Sequence, residues 1–439
     1  MTPSDEALER ATIGKVARRL IPLIALGYGI AFIDRVNIAF ASLQMNRDLH
    51  FSATVYGLGA GLFFVSYAAL EIPSNLLLVR VGARRWLARI MLTWGLLAAG
   101  MMLIRTPTHF YVMRFLLGAA EAGFFPGVIY YLNQWFPAHH RGRAISRFYI
   151  AAPLSGVVMG SVAGSLLGLQ GHLGLAGWQW LFLLEGLPAV VMSLVFLLWL
   201  PDRPSAAAWL SAAEKRWLET RLAADRAAAT SAGEHNVLAA LLDRRVLAFT
   251  AVNFLYLGSY YAFSLSAPAV LRAATGLSIQ NVGLLVAAGG LTGAAGMIFI
   301  GWHSDLRRER YLHLAAPLLV VAGCFGVMAF AHSPVVVAAT YLVFMAAYFA
   351  VSGAFWTAPG EFLDPRSLAV AVAAINGLGQ VGSFLMPYAW GVARDATGDF
   401  HAGLTALIVP YVAAAAIVLV LRQVHRRRLS TAAQHQPAA

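Results

Sequence analysis

The chain is short of cysteine, of charge and of enzyme signatures. One cysteine, Cys324, stands in 439 residues, so an intrachain disulfide is impossible and no thiolate cluster is left for a metal. Charged residues make up 12% of the chain, against about a quarter in an average soluble domain. With 59% of residues hydrophobic, a water-soluble globular fold is excluded. G-x-S-x-G, H-E-x-x-H and phosphate-binding P-loop patterns are absent, which argues against an enzyme. No substantial polar domain exists to serve a receptor. The N-terminus has no short apolar core followed by a small-residue cleavage site, so residues 1–19 read as a retained cytoplasmic tail.

What is present is a series of about twelve apolar runs, each of roughly 20 residues and long enough to cross a hydrocarbon core of ~30 Å as a helix. The expected fold is an all-α membrane protein of twelve transmembrane helices in two pseudo-symmetric six-helix bundles. The tail at 1–19 leads into a first bundle at 20–200. A cytoplasmic linker at 201–245 precedes a second bundle at 246–424 and a cytoplasmic tail at 425–439. Within the linker, Ser211 three residues before Glu214 predicts a capped, short amphipathic helix, with Trp217 and Leu218 on the membrane surface or the bundle.

The net charge of +12 does not point to nucleic acid, because of where the charges fall. Of the 32 lysines and arginines, 26 lie in alternate connections and the tails. The intervening connections hold only Arg47, Arg105, Arg272 and Arg394. By the positive-inside rule both termini and the central linker are cytoplasmic, and the basic surface meets anionic lipid.

Charges inside the apolar runs are costly, so each is a candidate functional group. Asp34 and Arg35 sit about 21 Å along the first span, counting from residue 20 at 1.5 Å per residue. Successive helix residues point about 100° apart, so these two need not pair with each other. Arg114 and Glu121 are seven residues apart on one face of the fourth span. Together the four form either structural salt bridges or a proton-coupled anion site. In the second reading Asp34 and Glu121 take up protons, and protonation frees Arg35, with Arg114, to hold a carboxylate by paired hydrogen bonds. Glu71 is assigned to an inner gate, and Glu185 to structure. Polar and aromatic residues at helical spacing fill out a cavity: Tyr67, Asn253, Tyr256, Tyr260 and Ser264, Trp356 and Thr357, then Asn376, Gln380 and Ser383.

The connections "NLLLVRVGARR" (75–85) and "GWHSDLRRER" (301–310) occupy matching places in the two halves, as an internal duplication would produce. Both resemble the loop signature of the major facilitator superfamily, with Arg80, Arg84, Arg85 and Asp305 as gate latches. Simple topological anchoring remains an alternative for the first. "IDRVNIAFA", "EIPSNLLLVRVGARRWLARIMLTWG", "RFLLGAAEAGFFPG", "GWQWLFLLEGLPA", "FWTAPGEFL" and "INGLGQVGSFLMPY" resemble segments of its anion:cation symporter branch across almost the whole chain, and are most similar to members assigned to tartrate.

The resemblance implies uptake of a small organic anion with protons, such as tartrate or a sugar acid, by alternating access in a monomer of the cell's inner membrane. Its partners are a small carboxylate, protons and membrane lipid, with no cofactor or metal beyond the coupling proton. It places proton coupling at Asp34 and Glu121, carboxylate or charge pairing at Arg35 and Arg114, and substrate contact at Tyr67 and Asn376. Pro153 stands where galactonate-type members carry glutamine. The alternative within the fold is an exporter or antiporter of an aromatic acid, drug or metabolite.

Overall fold

The computed structural model describes residues 3–230, 243–356, 358 and 365–434; Thr357 and most of "FWTAPGEFL" lie outside them. The described residues form helices and connections, with no strand among them. Eleven helices are long and apolar enough to cross a membrane by length and composition. In the first half the elements are α1 (Pro3–Asp48), α2 (Ala53–Val81), α3 (Ala83–Gly100), α4 (Pro107–Glu121), α5 (Phe124–Asn133), α6 (Ala138–Tyr149), α7 (Ala151–Leu167) and α8 (Gly177–Trp199). After the linker helix α9 (Ala212–Thr230) come α10 (Arg244–Ser264), α11 (Ala267–Thr275), α12 (Ile279–Arg307), α13 (Tyr311–Phe330), α14 (Pro334–Phe355), α15 (Pro365–Thr397), α16 (His401–Ala406) and α17 (Ile408–Gln434). The pairs α4–α5, α6–α7, α10–α11 and α16–α17 are each one crossing in two pieces, and α15 completes twelve.

An even number of crossings puts both chain ends on one side, called here the terminal face. The first helix is longer than the sequence suggests. Its 46 residues span about 69 Å at 1.5 Å per residue, so the polar tail continues the membrane helix beyond the terminal face. Helix α9 packs on this extension. The expected capping box forms: Ser211 N–H donates to Glu214 Oε2 (2.7 Å) and Glu214 N–H to Ser211 Oγ (3.3 Å). Lys15 Nζ reaches Glu214 at 2.7 Å, and Leu218 is buried, so the linker helix lies on the bundle.

The two bundles meet along α2–α15 and α7–α12. Toward the face opposite the termini these seams are tight. Asp395 accepts the Ala53 and Thr54 N–H groups (2.9 and 2.8 Å), satisfying donors left free at the start of α2. Tyr56 Oη donates to the Leu265 carbonyl (2.7 Å). Glycines bring main chain against main chain: a Cβ on Gly57 would strike the Pro387 carbonyl, and one on Gly160 the Gly283 carbonyl. The structure is therefore closed on that face.

Asp305, in the last turn of α12, is largely exposed and pairs with Arg310, the N-cap residue that opens α13 (2.5 Å). Glu309 does the capping. Its carboxylate accepts the Leu312 N–H (2.9 and 2.8 Å) and pairs with Arg422 of α17 (3.3 Å). In the matching first-half loop, the Arg84 N–H donates to Asp202 (3.0 Å) while Arg80 and Arg85 are exposed.

Candidate functional site: a buried ion pair at the wall of a ring-lined cavity

The fourth crossing breaks where the site needs it. Helix α4 ends at Glu121, Ala122 leaves the helical region, and Gly123 takes φ +88°, a left-handed conformation that glycine adopts without the Cβ penalty. A side chain there would also collide with the Ser74 hydroxyl. The break leaves Glu121 facing α1.

There it meets Arg35. Arg35 Nε donates to Glu121 Oε1 at 2.7 Å, and Nη2 contacts the same oxygen. Glu121 is fully buried, and its second oxygen has no hydrogen-bond partner among the described residues. The Arg35 guanidinium also lies over the Tyr67 ring, 4.9 Å from its centroid, a cation–π arrangement. Arg35 and Tyr67 line a central cavity together with Tyr256, Trp356, Asn376 and Gln380. Six of the expected substrate-contacting residues thus share one wall-to-wall space between the bundles.

Asp34 points elsewhere, as the 100° step requires. Its Oδ2 accepts from Trp94 Nε1 (2.9 Å) and its Oδ1 from Asn37 Nδ2 (3.2 Å). The carboxylate is buried against α3, away from the cavity lining. Glu185 of α8 is buried near the same amide, with neither oxygen hydrogen-bonded among the described residues.

The other two expected substrate-contacting residues are placed otherwise. Arg114, expected to help hold substrate, is 2% exposed and absent from the cavity wall. Its guanidinium sits 4.8 Å from the Phe63 ring centroid and donates to the Ala60 carbonyl (3.3 Å), because α4 presses this face into α2. Tyr260 stacks on Tyr348 with centroids 3.7 Å apart and lines a second, more apolar chamber with Pro153, Phe32 and Phe263. Glu71 does reach across the molecule: Asn376 Nδ2 donates to its two carboxylate oxygens at 3.1 and 3.2 Å.

The sequence reading passed over most of the rings. Tyr28, Phe32, Phe125, Tyr149, Tyr261, Tyr348 and Phe349 also line the central cavity. In helices that are apolar all round, no periodic signal separates a ring facing the cavity from one facing a neighbour. The doublet Phe148–Tyr149 at the end of α6 and the three tyrosines of α10, Tyr256, Tyr260 and Tyr261, are the available hints.

Two six-helix halves, a mid-membrane cavity between them and a buried charge pair on its wall define a membrane carrier of small molecules. Residues 24–387 match the family model described as Major Facilitator Superfamily, and the chain belongs to that family. It is 43% identical over 418 residues to a protein of Agrobacterium vitis named "Putative tartrate transporter", covering 94% of this chain and 95% of that one. It is 40% identical to a "Quinolone resistance transporter" of Acinetobacter baumannii, covering 90% and 91%. Among solved structures, a bacterial homologue of the human lysosomal transporter Spinster, inward-facing and unoccupied, superposes with a TM-score of 0.76. That pair shares 17% identity over 92% of this chain and 96% of the other.

Proposed function

We propose that this carrier imports a small organic anion together with protons, with Arg35 as the anion site and Glu121 as the proton site beside it. The observation that carries the reading is the Arg35–Glu121 pair: one acid oxygen holds the guanidinium, and the other is buried with no hydrogen-bond partner among the described residues. With Glu121 ionised, Arg35 is neutralised and the cavity repels nothing and holds nothing. A proton on Glu121 removes the charge that pins Arg35, and the guanidinium turns to a substrate carboxylate in a bidentate pair. Asp34, anchored by Trp94 and Asn37, is a second protonation site one helix position away. The charge asymmetry of the connections supports assigning the terminal face to the cytoplasm, in the cell membrane of a monomer, with protons as the only coupling species.

Two readings of the anion stand side by side. The name of the Agrobacterium relative and the Asn376, Gln380 and tyrosine hydroxyls suit a hydroxy-dicarboxylate or sugar acid. The ring-lined wall and the quinolone-resistance relative suit a planar aromatic carboxylate, moved in either direction.

Proteoliposomes test the core claim. An inward proton gradient should drive accumulation of the transported acid. Arg35→Ala should abolish uptake, and Glu121→Gln should abolish proton-driven accumulation while sparing exchange of labelled for unlabelled substrate. Undiminished proton-driven accumulation in Glu121→Gln overturns the proton assignment. Competition by tartrate, galactonate and benzoate ranks the anion classes.

A further inference from the structure

Beyond the terminal face, three ligand-type side chains converge far from the transport cavity. Glu9 lies on the α1 extension, and His139 and His140 open α6. Both imidazole Nε2 atoms lie against the same oxygen, Glu9 Oε1, at 2.7 and 2.9 Å. The two rings are tilted 43° to each other, 4.0 Å between centroids. The three ligand atoms lie within 4.8 Å of one another. Glu9 is 9% exposed, and both histidine nitrogens cover its Oε1.

The backbone that carries the histidines is fixed from a third side. Asp225 of α9 accepts the Ala138 N–H (2.7 Å) and a bond from Arg141 (3.4 Å). Arg141 also donates to the Phe136 carbonyl (2.9 Å), so its charge is spent on that corner rather than on Glu9. Three helices therefore hold the cluster in place.

We propose that Glu9, His139 and His140 form a three-ligand site for a divalent transition-metal ion of the zinc type. Two imidazoles and one carboxylate are a donor set that zinc takes, with bonds of about 2.0–2.2 Å and a fourth position left open. Tetrahedral ligands at those lengths stand about 3.3 Å apart, so each histidine nitrogen needs to move away from Glu9 Oε1 by roughly half an ångström. With an ion bound, the imidazoles coordinate through Nε2 as neutral rings with the proton on Nδ1, and the ion replaces the Nε2 hydrogen bonds to Glu9. An ion there ties the projecting end of α1 to the start of α6, and so the first crossing to the fifth.

The test uses the full-length chain purified without a histidine tag. Cobalt(II) titration should give a saturable, tetrahedral visible spectrum at one ion per chain, and zinc(II) should displace it. Glu9→Gln and His140→Asn should each weaken zinc binding at least about tenfold, while His332→Asn, at an exposed histidine elsewhere, should not. In case the variants fold poorly, the native chain gives an independent readout. Zinc should protect His139 and His140, but not His332, from diethyl pyrocarbonate in peptide mapping. Failure to protect, or zinc affinity unchanged in the Glu9→Gln/His139→Asn/His140→Asn triple variant, overturns the site.

Discussion

The Asn376 amide bonds both oxygens of Glu71, joining α15 to α2 across the seam between the bundles. Glu71 was expected at a gate and Asn376 at the substrate; the bond makes them one device. Replacing Asn376 by Asp sets two carboxylates about 3 Å apart and should part this seam. The expected result is a large loss of uptake in Asn376→Asp and partial recovery in Glu71→Gln/Asn376→Asp, with a coupling of about 0.5–3 kcal/mol from a double-mutant cycle in thermal unfolding. Additive effects would disconnect the two residues.

Asp34 depends on the Trp94 indole. Trp94→Phe removes that donor from a fully buried site and should lower stability by about 1–3 kcal/mol, the usual cost of stranding a buried polar group. In an Asp34→Asn background the same change should cost less, because no charge is left stranded. Unfolding curves of the four proteins in detergent decide the point.

Two side chains, besides the glycine contacts, help close the opposite face. Asp395→Ala frees the Ala53 and Thr54 N–H groups, and Tyr56→Phe cuts the bond to Leu265. Either change should favour opening on that side. In a Cys324→Ser background, Asn46→Cys, on the wall of a pocket beneath this closure, should be labelled several-fold faster by an impermeant maleimide when Asp395→Ala is added.

The linker helix should detach in acid. The hydrogen bond from Lys15 holds the Glu214 carboxyl below its ordinary value. Its contribution is therefore complete above the ordinary glutamate pKa of about 4.3 and is lost as pH falls through the lowered value. Limited proteolysis after Arg221 should be slow at neutral pH and rise only in strong acid; Lys15→Ala should shift that rise to higher pH.

Much of this was legible in the sequence, for a physical reason. An ionised group in lipid is too expensive to be casual, so Asp34, Arg35 and Glu121 announced themselves, and helical geometry alone predicted that Asp34 and Arg35 would part. Arg114 was misplaced by the same logic: sharing a face with Glu121 says nothing about whether that face meets the cavity or α2, and the small residue Ala60 with the Phe63 ring decided it. Trp94 and the cavity rings other than Tyr67, Tyr256 and Trp356 gave little signal, since rings in an apolar helix look alike from every side. The sequence singled out Asp305 in this connection but not Glu309, four residues on, whose carboxylate accepts the Leu312 N–H at the start of α13.

Within the seam between α7 and α12, Gly160 and Gly283 lay backbone on backbone. Interlocked side chains act as gear teeth that must withdraw before two bodies can turn. This glycine contact has none, so it behaves as a bearing. The two halves can roll about that line while staying in contact, and a single methyl group on it, as in Gly160→Ala, would be grit in the joint.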